Sequence, residues 1–241
     1  MTDRATPLPK APSDRLAGLS VIVPVGPGDA VSPALLQSLR DGLPGSAEVL
    51  IVLAPAAIAP PDDALGPAMH RLHDATGGRA RLQNLGAAQA RYAVLWFVHA
   101  DTLIPPAAWK WAARFVDRGE RALAYFDLRF LADGPSLMVV NAVAANLRSR
   151  WLKLPFGDQG LMIHRDDFRR LGGFDAQLPA GEDHALVWRA RHQGLPLRRL
   201  AAPLYTSARK YAEHGWLRTT GWHLRATWRQ ASQFARKAPP P

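Results

Sequence analysis

Short, nearly continuous apolar runs alternate with stretches of helical periodicity along most of the chain. The runs at 19–25, 48–53 and 94–98 are rich in Val, Ile and Leu and predict buried strands. Strands of this kind are typical of a parallel sheet covered on both faces by helices. The pattern therefore predicts an α/β fold, and ligands in such folds bind beyond the carboxyl ends of the strands.

Capping and turn residues predict where the intervening helices begin and end. Ser32 before Pro33 suits a helix start, and Gly42 suits the end of that helix. Further helices are predicted at 105–119, 135–151 and 182–194, and further strands at 122–130 and 160–164. Residues 1–17 look like a flexible tail, and residues 18–237 are predicted to form one domain.

Length and composition narrow the functional classes. The 241 residues suit one large domain, and the chain has no cysteine. Disulfides and thiolate metal sites are thereby excluded, so a metal would need oxygen or imidazole ligands. The amino terminus lacks the apolar stretch of a signal peptide, and the apolar runs are too short to span a bilayer. We therefore expect a cytoplasmic protein.

The net charge of +10 suggests an anionic partner, although a generally arginine-rich composition explains it equally well. No nucleic-acid-binding module is present, so we expect no nucleic-acid partner. Residues 212–237 predict a basic helix, which either rests on an anionic membrane at its inner face or packs on the domain with its arginines solvated. One face of it holds Arg218, Trp222, Arg225, Arg229 and Arg236, and the neighbouring face holds Leu217, Leu224, Trp228 and Ala231.

His99 and Asp101 directly follow a predicted strand and are the first candidate for chemistry. Residues two apart on a strand point to the same side, so both side chains would reach one place. A Mg²⁺ or Mn²⁺ ion that bridges a diphosphate needs only one or two protein ligands. Alternatively, Asp101 caps the next helix and His99 is simply half-buried.

Three other polar segments allow both a structural and a chemical interpretation. Glu182 and Asp183 open a helix, where carboxylates complement the helix dipole but where one of them could also act as a general base. The loop 157–160 either presents Asp158 and Gln159 to a ligand or is only a turn. The basic segment that includes Arg79 either binds phosphate or is solvated.

Read in order, several segments together resemble the family-2 glycosyltransferases of the GT-A (Rossmann-like) fold. They are most similar to the bacterial subgroup labelled for arsenosugar biosynthesis. The usual signatures of dinucleotide oxidoreductases, P-loop hydrolases and α/β-hydrolases are absent. The matching segments are 19–24, 78–87, 97–102, 156–160, 168–174, Glu182-Asp183 and 206–210.

The resemblance implies that a sugar is transferred from a nucleotide-diphosphate donor to an acceptor hydroxyl, with inversion and with Mn²⁺ or Mg²⁺. Asp101 would be the metal ligand, with His99 in the place of the first aspartate of the family's Asp-x-Asp element. Asp183 would be the catalytic base, with Glu182 beside it. The donor would contact Pro24, Val25, Arg79, Asn84, His99 and Arg209, and the acceptor would contact Asp158 and Gln159.

Two segments depart from the family pattern. Residues 26–29 read Gly-Pro-Gly-Asp where the family usually has Asn-Glu, and residues 53–57 contain no polar side chain where it has a uracil-reading aspartate. Base recognition would then be weak, moved to Asp62 or Asp63, or directed to another nucleotide. The alternative function is a pseudoenzyme of the same fold, or a non-catalytic protein that binds nucleotides or anions.

Overall fold

The computed structural model describes residues 18–135, 137–178 and 180–209. They contain a seven-stranded sheet in the order β3-β2-β1-β4-β6-β5-β7. Only β6 is antiparallel to its neighbours β4 and β5, and the other strand pairs are parallel. The strands are β1 (Leu19–Val25), β2 (Ala47–Leu53), β3 (Met69–His73), β4 (Val94–Phe97), β5 (Leu123–Phe130), β6 (Met162–His164) and β7 (Leu197–Thr206).

Helices follow most of the strands and cover both faces of the sheet. They are α1 (Pro33–Gly42), α2 (Arg79–Gln89), α3 (Pro106–Asp117), α4 (Met138–Trp151), α5 (Arg165–Arg170) and α6 (Glu182–His192), with single 3₁₀ turns at Asp62–Ala64 and Gly157–Gln159. The mostly parallel α/β architecture predicted from the sequence is therefore confirmed.

The hydrophobic core lies in two layers, one on each face of the sheet. Val21 and Val23 of β1 belong to one layer, and Ile22 belongs to the other. The neighbouring strand β4 divides in the same way, with Trp96 on the first face and Phe97 on the second. Burial on both faces explains why these strands are apolar at nearly every position.

Two local features place the helices that border the site. The Ser32 side chain accepts a hydrogen bond from the Leu35 amide at 3.1 Å, so the predicted cap of α1 is confirmed. In α2, a methyl group on Gly86 would come within 2.5 Å of Ile22 Cγ2. Glycine therefore lets α2 lie directly on β1, which brings the amino end of α2 to the carboxyl edge of the sheet.

The edge strand β3, the outer strand β7 and the short helix α5 were not predicted. In β3 only Met69 is buried, so the strand lacks an apolar pattern. Strand β7 contains Pro203, and its pairing with β5 shifts register nearby. The predicted tail 1–17 and the basic helix 212–237 lie outside the described residues. Within the described ranges, no helix combines the length and apolar character needed to cross a bilayer.

Candidate active site

A cleft of about 840 Å³ opens beyond the carboxyl ends of β1 and β4. Its walls come from the loop after β1, the starts of α1 and α2, the loop after β4 and the segments that follow β5 and β7. This is the edge at which the sequence predicted a ligand. Five of the predicted site residues line the cleft, namely Pro24, Arg79, His99, Asp101 and Arg209.

Asp101 and His99 lie at the end of β4, on the floor of the cleft. The Thr206 hydroxyl, at the end of β7, donates a hydrogen bond to Asp101 Oδ1 over 3.3 Å. His99 Nε2 makes a hydrogen-bond contact with the Arg79 guanidinium. Helix α3 begins after Pro105 with no side-chain cap, so Asp101 does not serve as its cap. Of the roles considered for Asp101, the helix cap is therefore not observed.

Glu182 and Asp183 form the first turn of α6, and their carboxylates point in different directions. Glu182 is buried, and its Oε1 lies 3.1 Å from Arg79 Nε. The angle at the Nε–H group does not suit a hydrogen bond to Oε1, so the contact is an ion pair. Asp183 instead accepts the Gly157 amide at 2.6 Å and the His184 amide at 2.8 Å. Glu182 therefore holds Arg79, whereas Asp183 faces the loop at 157–160.

Opposing effects act on the pKa of Asp183. Burial alone would raise it, but the charges of Arg79 and His184 and the hydrogen bonds from Gly157 and His184 leave the pKa below the ordinary aspartate value. The carboxylate is therefore ionised at neutral pH. Ionisation is the state that a proton acceptor needs.

Gly157 is the point where the separate parts of the site meet. A methyl group on this residue would lie 2.5 Å from Arg79 Nη2, 2.9 Å from Asp183 Oδ2 and 3.2 Å from His99 Nε2. These three side chains come from α2, α6 and the end of β4. The missing side chain at Gly157 thus allows the guanidinium, the carboxylate and the imidazole to share one small space.

Two predicted ligand-binding residues, Gln159 and Asn84, make hydrogen bonds within the protein. Gln159 is fully buried, where it accepts the Ser149 hydroxyl at 2.6 Å and donates to the Phe126 carbonyl at 3.0 Å. In this structure its side chain is hydrogen-bonded inside the protein and does not line the cleft. Asn84 bonds both the amide and the carbonyl of Phe174, at 2.9 and 2.8 Å, and so ties α2 to the loop before α6.

Val25 and the two aspartates proposed for base recognition also lie away from the cleft surface. Val25 is a fully buried core residue of β1. Asp62 and Asp63 are exposed on the 3₁₀ turn after β2, where Asp62 pairs with Arg71. Neither aspartate lines the cleft. This turn therefore contributes no carboxylate to the cleft.

The sequence analysis missed several residues of the site. Asp29 and Asp133 line the cleft, and Asp133 accepts the Ser207 hydroxyl at 2.6 Å and the Ala208 amide at 2.8 Å. Arg148 of α4 lies over the Phe156 ring, 3.3 Å from its centroid. The Asp133-Gly134 pair is an ordinary turn signal, and an arginine in a helix usually indicates a solvated face. Neither pattern indicates a site.

Asp158 has an unusual environment for a carboxyl group. Its Oδ1 is buried, and no hydrogen-bond partner for it occurs among the described residues. Burial raises the pKa of Asp158 to about 6; Arg148 opposes this shift, and the nearby Asp183 carboxylate adds to it. Asp158 therefore carries a proton in mildly acidic solution and is ionised, at a cost, above pH 6.

We expect Asp158→Asn to stabilise the protein at neutral and alkaline pH. The ordinary pKa of 3.8 applies in the unfolded chain and about 6 in the folded one. Since one pH unit is worth about 1.4 kcal/mol, ionised Asp158 should cost the folded state about 3 kcal/mol. Between these two pKa values the folded state holds more protons, so the cost grows as the pH rises and is complete above pH 6.

Urea unfolding at several pH values between 5 and 8 tests this expectation. Asp158→Asn should have a larger free energy of unfolding than the parent protein. This difference should be largest at pH 8 and should shrink as the pH falls through 6. Asp117→Asn, which changes an exposed carboxylate at the end of α3, is the matched control. An equal difference at every pH, or a less stable variant at pH 8, would contradict the assignment.

Comparison with known proteins supports the fold. The sequence matches no protein-family model and no curated protein. The structure of TarS from S. aureus matches 79% of this chain with a TM-score of 0.58 and 19% identity. The TarS 1–349 structure in complex with UDP matches with a TM-score of 0.59 and 18% identity. The chain spans 37% and 60% of the length of these two structures.

A longer match is the mannosyltransferase PcManGT from Pyrobaculum calidifontis, whose structure contains GDP-Man and Mn²⁺. It covers 96% of this chain and 70% of its own, with a TM-score of 0.65 and 18% identity. Identities this low are evidence of a common fold only. The seven-stranded, mostly parallel sheet with its flanking helices is the GT-A-like fold of these glycosyltransferases.

Proposed function

We propose that this protein is a metal-assisted, inverting glycosyltransferase that moves a sugar from a nucleotide-diphosphate donor to an acceptor hydroxyl. The observation that carries the proposal is the convergence of Arg79, His99 and Asp183 around Gly157; Arg79 and His99 also line the cleft together with Asp101. These residues come from distant parts of the chain and meet at the edge of the sheet where this fold class binds ligands. The resemblance to the arsenosugar-type subgroup is consistent with the same arrangement.

Arg79 and Arg209 are the proposed phosphate clamps, because both line the cleft. A guanidinium can bind phosphate oxygens through two parallel hydrogen bonds. Arg79 is held on one side by Glu182 and on the other by His99. A side chain held in this way loses little conformational entropy when the donor binds.

Asp183 is the proposed general base. Its ionised carboxylate would take the proton of the attacking hydroxyl while the acceptor oxygen bonds to the anomeric carbon. The bond from that carbon to the diphosphate oxygen breaks in the same step, and its electron pair leaves with the diphosphate. A single displacement of this kind inverts the anomeric carbon and needs no covalent enzyme intermediate.

Asp101 is the proposed metal ligand, with His99 beside it. Its carboxylate oxygens suit Mn²⁺ or Mg²⁺, and the donor phosphates and water would complete the coordination. Among the described residues, no group of three or more His, Asp or Glu side chains could hold a metal ion. When bound, the cation would neutralise charge on the leaving diphosphate.

The proposal is tested with a panel of nucleotide sugars, each with Mn²⁺, with Mg²⁺ and with a chelator. We expect at least one donor to raise the melting temperature only with metal, and to release its nucleoside diphosphate slowly even without an acceptor. Metal-dependent stabilisation without any release, with acceptor hydroxyl compounds present, would favour the non-catalytic alternative. No stabilisation by any donor would reject the proposed transferase and leave the pseudoenzyme or the anion-binding protein.

We also expect this protein to lack a strong preference for uridine nucleotides. Residues 53–57, which begin at the last residue of β2, lie where the family's uracil-reading aspartate would stand and contain only apolar side chains. Calorimetry with UDP, GDP and ADP in the presence of Mn²⁺ should give affinities within about tenfold, or 1.4 kcal/mol. A UDP preference of about a hundredfold would contradict this expectation, and Asp29→Asn would then test the nearest cleft carboxylate of the β1 loop.

A further inference from the structure

Helix α4 carries an exposed apolar face that is unusual for a surface helix. Among the described residues, seven of the eight exposed large hydrophobic side chains belong to the stretch 137–152, with exposed fractions of 47–79%. They are Leu137, Val139, Val140, Val143, Leu147, Trp151 and Leu152. Val140, Val143, Leu147 and Trp151 follow one another at helical spacing and form a continuous stripe, which we call the α4 stripe.

The opposite side of α4 already packs on the sheet through Met138, Ala142, Ala145 and Ser149. The helix is therefore apolar on two faces, a pattern typical of a helix that is covered on both sides. The two arginines of α4 make their contacts away from the stripe. Arg148 contacts the Leu154 carbonyl and the Phe156 ring, and Arg150 pairs with Asp127.

The chain leaves the described structure close to the amino end of α4. Asp133 bonds Ser207 and Ala208. A methyl group on Gly134 would lie 2.5 Å from the Ala208 side chain. Residues 133 and 134 immediately precede the stretch that begins α4. Ala208, one residue before the end of the described structure, therefore lies near the amino end of α4.

We propose that residues 210–237 pack on the α4 stripe. The apolar positions Leu217, Leu224, Trp228 and Ala231 have helical spacing, and the arginines lie on the neighbouring face. As a helix, 217–231 would be about 22 Å long, close to the roughly 21 Å of the 14-residue α4. The connection 210–216 can extend to roughly 25 Å, enough to reach either end of the stripe.

The packing would bear on the proposed active site. Ser149, on the buried side of α4, donates its hydroxyl to Gln159, and Arg148 stacks on Phe156. Both contacts support the loop that contains Gly157. A segment that clamps α4 from outside would therefore stabilise this loop, although it contributes no side chain to the cleft.

The absence of native cysteine allows a clean test in the full chain. Val143→Cys is labelled with a benzophenone maleimide and irradiated, and the cross-linked peptides are mapped by mass spectrometry. Ala107→Cys, at an exposed position of α3, is the matched control. We expect Val143→Cys to cross-link to residues 210–237 and Ala107→Cys not to do so. Mixed ¹⁴N and ¹⁵N chains distinguish links within one molecule from links between copies.

A second measurement uses unmodified Val143→Cys. Replacing Leu217, Leu224 and Trp228 by Ser in the full chain should increase its rate of maleimide labelling at least tenfold, while Ala107→Cys keeps its rate. Cross-links between copies would overturn the proposal in favour of a dimer. Cross-links only to lipid in vesicles of anionic phospholipid would overturn it in favour of a membrane surface. A labelling rate that the Ser substitutions leave unchanged would overturn it as well.

Discussion

The Asp183→Asn variant should transfer sugar about 10² to 10⁴ times more slowly than the parent protein while keeping its affinity for the donor. The amide has nearly the same shape as the carboxylate but cannot accept the proton of the attacking hydroxyl. It also keeps only one of the two bonds that Asp183 accepts, from Gly157 and His184, because an amide nitrogen does not accept. A modest loss of stability is therefore expected, and melting curves will show whether the variant is folded.

Glu182→Gln is the matched control, because it makes the same chemical change one residue away. Glu182 pairs with Arg79 and does not face Gly157. Loss of the Glu182 charge should leave the Arg79 guanidinium less firmly positioned and so weaken donor binding. The turnover number should stay nearly unchanged. Initial rates over a range of donor concentrations separate the two effects. Loss of turnover in Glu182→Gln with activity retained in Asp183→Asn would reverse the assignment, and full activity in both would exclude both residues.

The second large effect is expected from Asp101→Ala. This change removes the proposed carboxylate ligand on the floor of the cleft, along with the acceptor of the Thr206 hydroxyl. Donor affinity measured with Mn²⁺ should fall by about a hundredfold or more, which corresponds to nearly 3 kcal/mol. With a chelator present, parent and variant should bind the donor equally weakly.

Calorimetric titration of the donor, with and without Mn²⁺, measures this difference. Asp29→Ala is the matched control, since it removes another carboxylate that lines the same cleft. We expect Asp29→Ala to retain the metal dependence of donor binding. A folded Asp101→Ala protein with unchanged metal-dependent affinity would remove Asp101 from the metal site.

The predicted site residues differ in how far their positions in the fold could be foreseen from the sequence. Asp101 and Asp183 stand at a strand end and at a helix start, and such positions depend on local patterns that the sequence displays. Gln159 was placed with them because it lies between two glycines in a polar loop, and Asn84 because it lies in a segment that resembles the family. In the folded chain both satisfy backbone groups from distant segments, Phe126 and Phe174. No local pattern reveals a hydrogen bond between residues far apart in sequence.

The sequence by itself determined the fold class, the principal strands and the ends of most helices. These features follow from the spacing of apolar residues and from caps such as Ser32, which act over a few residues. Only the tertiary structure decided that β3 and β7 lie at the edges of the sheet and that Arg79 pairs with Glu182. It also decided that Gly157 leaves room for His99 and Asp183 to meet. Those outcomes depend on contacts between segments far apart in the chain. The free energy of such a contact is set by the distance between the two side chains and by their burial, and neither can be read from local periodicity.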